Sequence, residues 1–335
     1  MTVLVTGVAG FIGFSLAARL LREGESVFGI DNLSPYYDVA LKEARLQLLQ
    51  RDPRFRFVRL DIADRAAIAS FFAREHFDTI VHLAGQVGVR YSLEQPLAYV
   101  DANLVGFSHI LEGALAQRVS HFVFASSSSV YGANRKLPFS EEDNVDRPIT
   151  LYGATKKANE LVAYSYAHLF GLPSTGLRFF TVYGPWGRPD MALIKFTRAI
   201  LAGEPIPVYN EGRMVRDFTY IDDVVEAIVR VMAAPPTSEG DGGAEGPDGS
   251  EVPYRIFNVG NGRPVELLDY IRTLEKWLGR TAELRLLPMQ PGDIAQTMAD
   301  VSRLERAVGF RPLTTVDEGV RRFVEWYLMH YRAAP

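Results

Sequence analysis

A chain of 335 residues has room for one main domain and a smaller companion. With 47% hydrophobic and 23% charged residues it has the composition of a folded globular protein, and a formal net charge of -4 leaves no basic excess for nucleic acid. The absence of cysteine excludes disulfides, thiolate catalysis and thiolate-bound zinc, and agrees with a reducing compartment.

The opening MTVLVTGVAGFIG lacks a charged leader and a small-residue cleavage site, and no apolar run reaches the ~18 residues of a spanning helix. A soluble, cytoplasmic protein with no membrane partner is expected. In chain order, the β-branched runs 2–6, 26–30, 55–59, 79–83, 121–126 and 174–179 read as strands. Several lack polar alternation, as strands buried on both faces do. Helical stretches separate them at 13–23, 39–51, 65–75, 96–117 and 152–170. The alternation predicts an α/β fold, a doubly wound parallel sheet of the Rossmann type with a smaller C-terminal substrate-binding lobe.

Beyond residue 180, Pro185, Pro189, Pro205 and Pro207 cut the chain into short elements, and a helix at 221–232 is expected to return to the main sheet. The expected division is 1–178 plus about 219–260 for the dinucleotide domain, and 179–218 plus 261–335 for the second lobe. Residues 235–253, rich in Gly, Pro and acids, read as a mobile surface loop.

Directly after the first strand come Gly7, Gly10, Phe11, Ile12 and Gly13, a spacing that lets backbone approach a pyrophosphate at a helix N-terminus. Asp31, followed by Asn32, ends the second strand, where a carboxylate accepts ribose hydroxyls and repels a 2'-phosphate, favouring NAD over NADP. Asp61 and Ile62 end the third strand and Leu83, Ala84 and Gly85 the fourth, so both groups are candidates to line the cofactor cleft. Asp61 has an alternative reading as the cap of the next helix.

Tyr152 and Lys156, four residues apart, share one helical face. A lysine beside a tyrosine stabilises phenolate and so makes a general base. The run Ser126-Ser127-Ser128-Ser129 closes the fifth strand, where open α/β sheets place ligands. Its bland reading is a polar turn. His82 and His109 have no metal-ligand spacing, and no metal is predicted.

These residues, together with Tyr131 four after Ser127 and the run 216–223 (RDFTYIDD), resemble the extended short-chain dehydrogenase/reductase family over nearly the whole chain. The resemblance implies NAD as cofactor and a nucleotide sugar as substrate. Val89-Arg90-Tyr91-Ser92, Leu137-Pro138-Phe139-Ser140-Glu141-Glu142 and 177–191 (LRFFTVYGPWGRPDM) are most similar to the members that invert C4 of UDP-glucuronate. That likeness implies Tyr152 as base, Lys156 as ribose ligand and tuner of Tyr152, and Ser127, or failing it Ser128, as the hydroxyl that orients the sugar oxygen. It also implies that Thr181 and Ser128 contact the sugar carboxylate and that Asp293 lies near the uridine ribose.

Arg188 and Arg216 are candidate clamps for diphosphate or sugar acid, since guanidinium donors match oxyanions. Each has an internal ion pair as its alternative. Arg90 is a further substrate candidate, and Asn103 resembles an asparagine near the active site or else bridges backbone. Relatives also imply a homodimer built from 96–117 and 152–170. The rivals are a UDP-glucuronate decarboxylase, a 4,6-dehydratase, an epimerase of neutral UDP-hexoses and a non-catalytic NAD sensor. Decarboxylases and dehydratases carry an acid where this chain has Ser128 and Ser129.

Overall fold

The computed structural model describes residues 1–237, 244–245, 251–290 and 292–332. Its centre is a seven-stranded sheet, entirely parallel, built from β1 (Thr2–Thr6), β2 (Ser26–Asp31), β3 (Phe55–Arg59), β4 (Thr79–His82), β5 (His121–Ser127), β6 (Ser174–Phe179) and the edge strand Tyr254–Val259. The spatial order runs β3-β2-β1-β4-β5-β6 and then Tyr254–Val259, so the direction of winding reverses between β1 and β4. Ligands of such sheets bind outside the carboxyl ends at that reversal.

The inner strands β1, β2 and β4 read as apolar runs because they are buried on both faces, whereas the edge strand β3 leaves Arg56, Val58 and Arg59 exposed. Val3, Val5, Val27, Val81 and Val123 pack on one side with α1 (Phe11–Arg22), α2 (Val39–Leu49) and the Ile221–Met232 helix. Leu4, Phe28, Ile80, Phe122 and Phe124 pack on the other with α3 (Arg65–Arg74) and the helices Phe107–Gln117 and Leu151–Phe170. The six expected strands thus lie where the sequence put them. Tyr254–Val259 was not anticipated; its register on β6 runs from Tyr254 opposite Ser174 to Val259 opposite Phe179.

The expected single helix 96–117 is instead three pieces: a turn at Pro96–Tyr99, a π-helical stretch Val100–Gly106 and the α-helix Phe107–Gln117. The wide turn inserts where Asn103 bonds Gln86, as such bulges do near functional sites. The Ile221–Met232 helix does return to the main sheet: Arg19 of α1 pairs with Glu226 at 2.8 Å, and the Met232 carbonyl faces His121 of β5. Much of the 235–253 loop lies outside the described residues, and within it Ala244–Glu245 pairs antiparallel with Glu251–Val252. After β6 come the small sheets Thr181–Tyr183 with Phe218–Tyr220, Ile206–Val208 with Leu284–Leu286, and Val215–Arg216 with Val265–Glu266. No helix among the described residues is long and apolar enough to cross a membrane.

Candidate active site

At the reversal point lies a cavity of about 260 Å³. The glycine loop forms its floor for steric reasons. Gly7 adopts φ +69, and a Cβ there would stand 2.8 Å from the Ala84 nitrogen; a Cβ on Gly13 would stand 2.2 Å from the Gly7 carbonyl. Only glycine allows the β1 end, the β4 end and α1 to converge this closely. The first turn of α1 has Gly10 as its cap with no side chain bonded to it, so the free N–H groups and positive helix end stay available to an anion.

Asp31 reaches the cavity from the end of β2, with its oxygens accepting the Ala9 amide at 3.1 Å and the Leu33 amide at 2.8 Å. Burial raises its pKa against those two hydrogen bonds and the nearby Lys42 and Arg45. Each oxygen keeps a lone pair for a ligand hydroxyl. Asn32 donates to Asp61 at 3.0 Å, and Asp61 also accepts the Ala63 amide. The helix cap is not Asp61 but Asp64, which accepts the Ala67 amide. Asn32, Asp61, Ile62, Leu83, Ala84 and Gly85 all line the cavity.

The catalytic candidates face it from the other side. Thr150 caps the Leu151–Phe170 helix through the Gly153 amide at 3.0 Å, and Gly153 is needed because a Cβ would meet the Ser129 carbonyl at 2.6 Å. This contact presses the helix start, with Tyr152 and Lys156, onto the serine run. Burial raises the Tyr152 pKa, while a hydrogen bond from Ser127 and the charge of Arg188 pull it back down. Lys156 is buried, donates to the Ala125 carbonyl at 3.0 Å, and is driven down to about 8 by desolvation. Of the serines, Ser126 donates to Glu160 at 2.6 Å, Ser127 accepts the Ser129 amide and lines the cavity, and Ser128 lies just beyond its lining.

The remaining candidates are dispersed. Arg188 lines the cavity and holds Asp190 through two nitrogens, so its internal ion pair exists together with its cavity position. Tyr36 donates to the same Asp190 at 3.1 Å. Arg216 makes no ion pair among the described residues: its Nη1 donates to the Val215 and Ala295 carbonyls at 3.1 and 3.0 Å, and Asp217 spends its oxygens on the amides of Asn261, Gly262 and Ala299. Desolvation lowers the Arg216 pKa and Asp293 opposes it. Arg90 pairs with Asp293 at 3.3 Å and lies 4.8 Å over the Tyr209 ring. Arg90, Arg216 and Asp293 are therefore one cluster, outside the main cavity.

Thr181 lines a small adjoining pocket that shares Phe11, Val182, Arg188 and Met191 with the main cavity. Asn103 is buried, with its amide spent on Gln86 and Thr155, so it bridges backbone and helix without lining the cavity. The sequence reading missed Tyr36, Tyr37 and Lys42, which line the wall between β2 and α2. Their signal was only a polar segment after Asp31. Among the described residues no cluster of acidic or histidine side chains suits a metal.

An open parallel sheet whose reversal point joins a bare glycine-loop helix end to a Tyr-Ser-Lys group, its serine and lysine buried, defines a dinucleotide-dependent enzyme. Residues 3–260 match the NAD dependent epimerase/dehydratase family, and the chain belongs to that family. It is 54% identical to a Rhizobium meliloti (strain 1021) protein named "Probable UDP-glucuronate 4-epimerase", over 100% of this chain and 99% of that one. A crystal structure of UDP-glucuronic acid 4-epimerase from Bacillus cereus in complex with UDP-glucuronic acid and NAD aligns with TM-score 0.88 and 32% identity, covering 99% of this chain and 100% of that chain. UDP-glucose 4-epimerase from Thermotoga maritima aligns with TM-score 0.86 and 29% identity, over 99% and 100%.

Proposed function

We propose that this chain interconverts UDP-glucuronate and UDP-galacturonate by inverting C4 of the sugar, with NAD retained in the glycine-loop cavity. The observation that carries the reading is the convergence of Tyr152, Lys156 and Ser127 on the cavity that the glycine loop floors. The residues fit NAD: the glycine cradle would be filled by any Cβ, the α1 end is uncapped, and Asp31 has lone pairs free for ribose hydroxyls. Bound NAD supplies a hydride acceptor and donor. Gly7, Gly10, Phe11, Ile12 and Gly13 would hold its diphosphate; Asp31, Asn32, Asp61 and Ile62 would hold the adenosine side; Leu83, Ala84, Gly85 and Lys156 would hold the nicotinamide side. Asn103 supports that wall from behind.

Tyr152 would take the proton of the 4-hydroxyl when C4 is oxidised and return it to the same oxygen when C4 is reduced. Lys156, charged below pH ~8, favours the phenolate this requires. Ser127 orients the sugar oxygen. Arg188 faces the sugar with its guanidinium already aligned by Asp190, while Arg216, desolvated and without an ion pair among the described residues, takes the UDP diphosphate, and Arg90 with Asp293 borders the uridine. The 4-keto sugar readily loses its carboxylate as carbon dioxide. Ser128 and Thr181 hold that carboxylate, and no acid stands at 128 or 129 to promote elimination.

The lobes divide as 1–178 plus about 219–260 and 179–218 plus 261–335, and the enzyme is a cytoplasmic homodimer. Exposed Leu97, Val105, Leu161 and Leu169 on the stretches 96–117 and 151–170 support that pairing. The test is to incubate the purified protein with UDP-glucuronate, without added NAD, following the sugar by proton NMR and the headspace for carbon dioxide. UDP-galacturonate without gas is the expected result; a pentose product with gas would make it a decarboxylase, and turnover of UDP-glucose alone a neutral-sugar epimerase.

A further inference from the structure

Arg45 of α2 has no exposed surface, yet it touches no ligand-facing space and forms no ion pair among the described residues. One terminal nitrogen donates to the Ala9 carbonyl at 2.7 Å and the Tyr37 hydroxyl at 3.0 Å; the other donates to the Trp186 carbonyl at 2.6 Å and the Gly187 carbonyl at 3.2 Å. Its Nε is buried and has no partner among the described residues. A permanent cation satisfied only by neutral acceptors is costly in a protein interior. Its presence calls for a function that a neutral side chain could not serve.

The acceptors belong to two different walls of the cavity. Ala9 is in the glycine loop, and its amide bonds Asp31. Trp186 and Gly187 immediately precede Arg188. Trp186 has the left-handed value φ +62, uncommon for a large side chain, and its ring is wedged against Phe14 at 5.4 Å, Trp326 at 5.3 Å and His330 at 4.6 Å. Arg45 and this aromatic wedge together hold the backbone that presents Arg188. Asp31 is the carboxylate near enough to feel the Arg45 charge, and an anion above the glycine loop would add a second.

We propose that Arg45 is a positioning residue that couples the two ligand sites, so that a dinucleotide diphosphate on the glycine loop fixes the Trp186 to Arg188 backbone and sets Arg188 against the acidic sugar. The coupling rests on the reading of Arg188 given above. Its consequence is ordered occupancy: the cofactor-loaded protein recognises the sugar acid better than the empty one. Lysine in place of Arg45 keeps the charge but has one nitrogen, too few to bridge Ala9 and Trp186 with the same geometry.

The experiment uses charcoal-stripped protein carrying Tyr152→Phe to halt turnover, titrated calorimetrically with UDP-glucuronate and with UDP, with and without saturating NAD. In the parent protein NAD should raise UDP-glucuronate affinity by a factor within ~5–150, the usual range for coupled sites. Arg45→Lys should reduce that factor to about twofold or less. An unchanged factor in Arg45→Lys would overturn the proposal. Equal affinity for UDP and UDP-glucuronate in the parent would instead count against the sugar-acid reading of the site. Should the variant fail to fold, hydrogen exchange on the unaltered protein decides: NAD should slow exchange of the Gly187 and Arg188 amides, and no change there would overturn the coupling.

Discussion

The two walls of the cavity are built differently. The dinucleotide wall comes from the strand ends of β1 to β4, β1 delivering five residues and the other three two or three each, and every candidate there except Asn103 lines one cavity. The sugar wall is assembled from segments far apart in sequence: Arg90 meets Asp293 across 203 residues, and Arg216 leans on Ala295. A local wall tolerates little change, because its backbone is the ligand surface. A dispersed wall is a set of separate side chains on short strands and loops, each removable with the fold intact.

Mutations sharpen the contrast. Tyr152→Phe, at the seam, should cost kcat ~10²–10⁴-fold, the usual weight of a general base, with NAD content unchanged by absorbance and mass spectrometry. Arg216→Met should raise KM for UDP-glucuronate by ~10–100-fold through the loss of charged hydrogen bonds, with NAD retention and melting temperature close to the parent. A loss of NAD in that variant would contradict the separation of the walls. Asp31→Asn is the converse: an amide nitrogen would face the Ala9 or Leu33 amide, so a cost of ~1–3 kcal/mol in stability and loss of retained NAD are expected, read by denaturant melts and released nucleotide.

The smallest effect concerns pH. Lys156 in the folded, nucleotide-free chain releases its proton near 8, against 10.5 when unfolded. Activity that depends on its charge should fall as pH rises through about 8. Stability should move the other way: between about 8 and 10.5 the unfolded chain binds more protons at this site, so the contribution of Lys156 to stability rises with pH there. Comparing melting temperatures of the parent and Lys156→Met from pH 7 to 10 checks the sign.

Most of the sheet was legible because buried parallel strands announce themselves as β-branched runs, and the glycine loop because its steric demands leave no other residue possible. The Tyr254–Val259 strand escaped because its polar Arg255 and Asn258 interrupt the run; in the fold Asn258 is held by Glu141, Tyr131 and two backbone carbonyls, partners 42 to 127 residues away in sequence. The break in 96–117 escaped because helical periodicity does not show a widened turn. Tyr36, Tyr37 and Lys42 were illegible as cavity residues because the loop after Asp31 is brought back by partners elsewhere in the chain, Tyr36 on Asp190 and Tyr91 and Tyr37 on Arg45. For Arg188 and Arg216, sequence left ion pairing open for both. Arg188 pairs with Asp190, and Arg216 forms no ion pair among the described residues.

The central claim is that C4 is inverted by a hydride that never leaves the protein. UDP-glucuronate labelled with deuterium at C4 tests it most directly, by proton NMR and mass spectrometry of the product in ordinary water. The account predicts UDP-galacturonate that keeps its deuterium at C4 with no NAD added. Exchange of that deuterium for solvent hydrogen during inversion would contradict it.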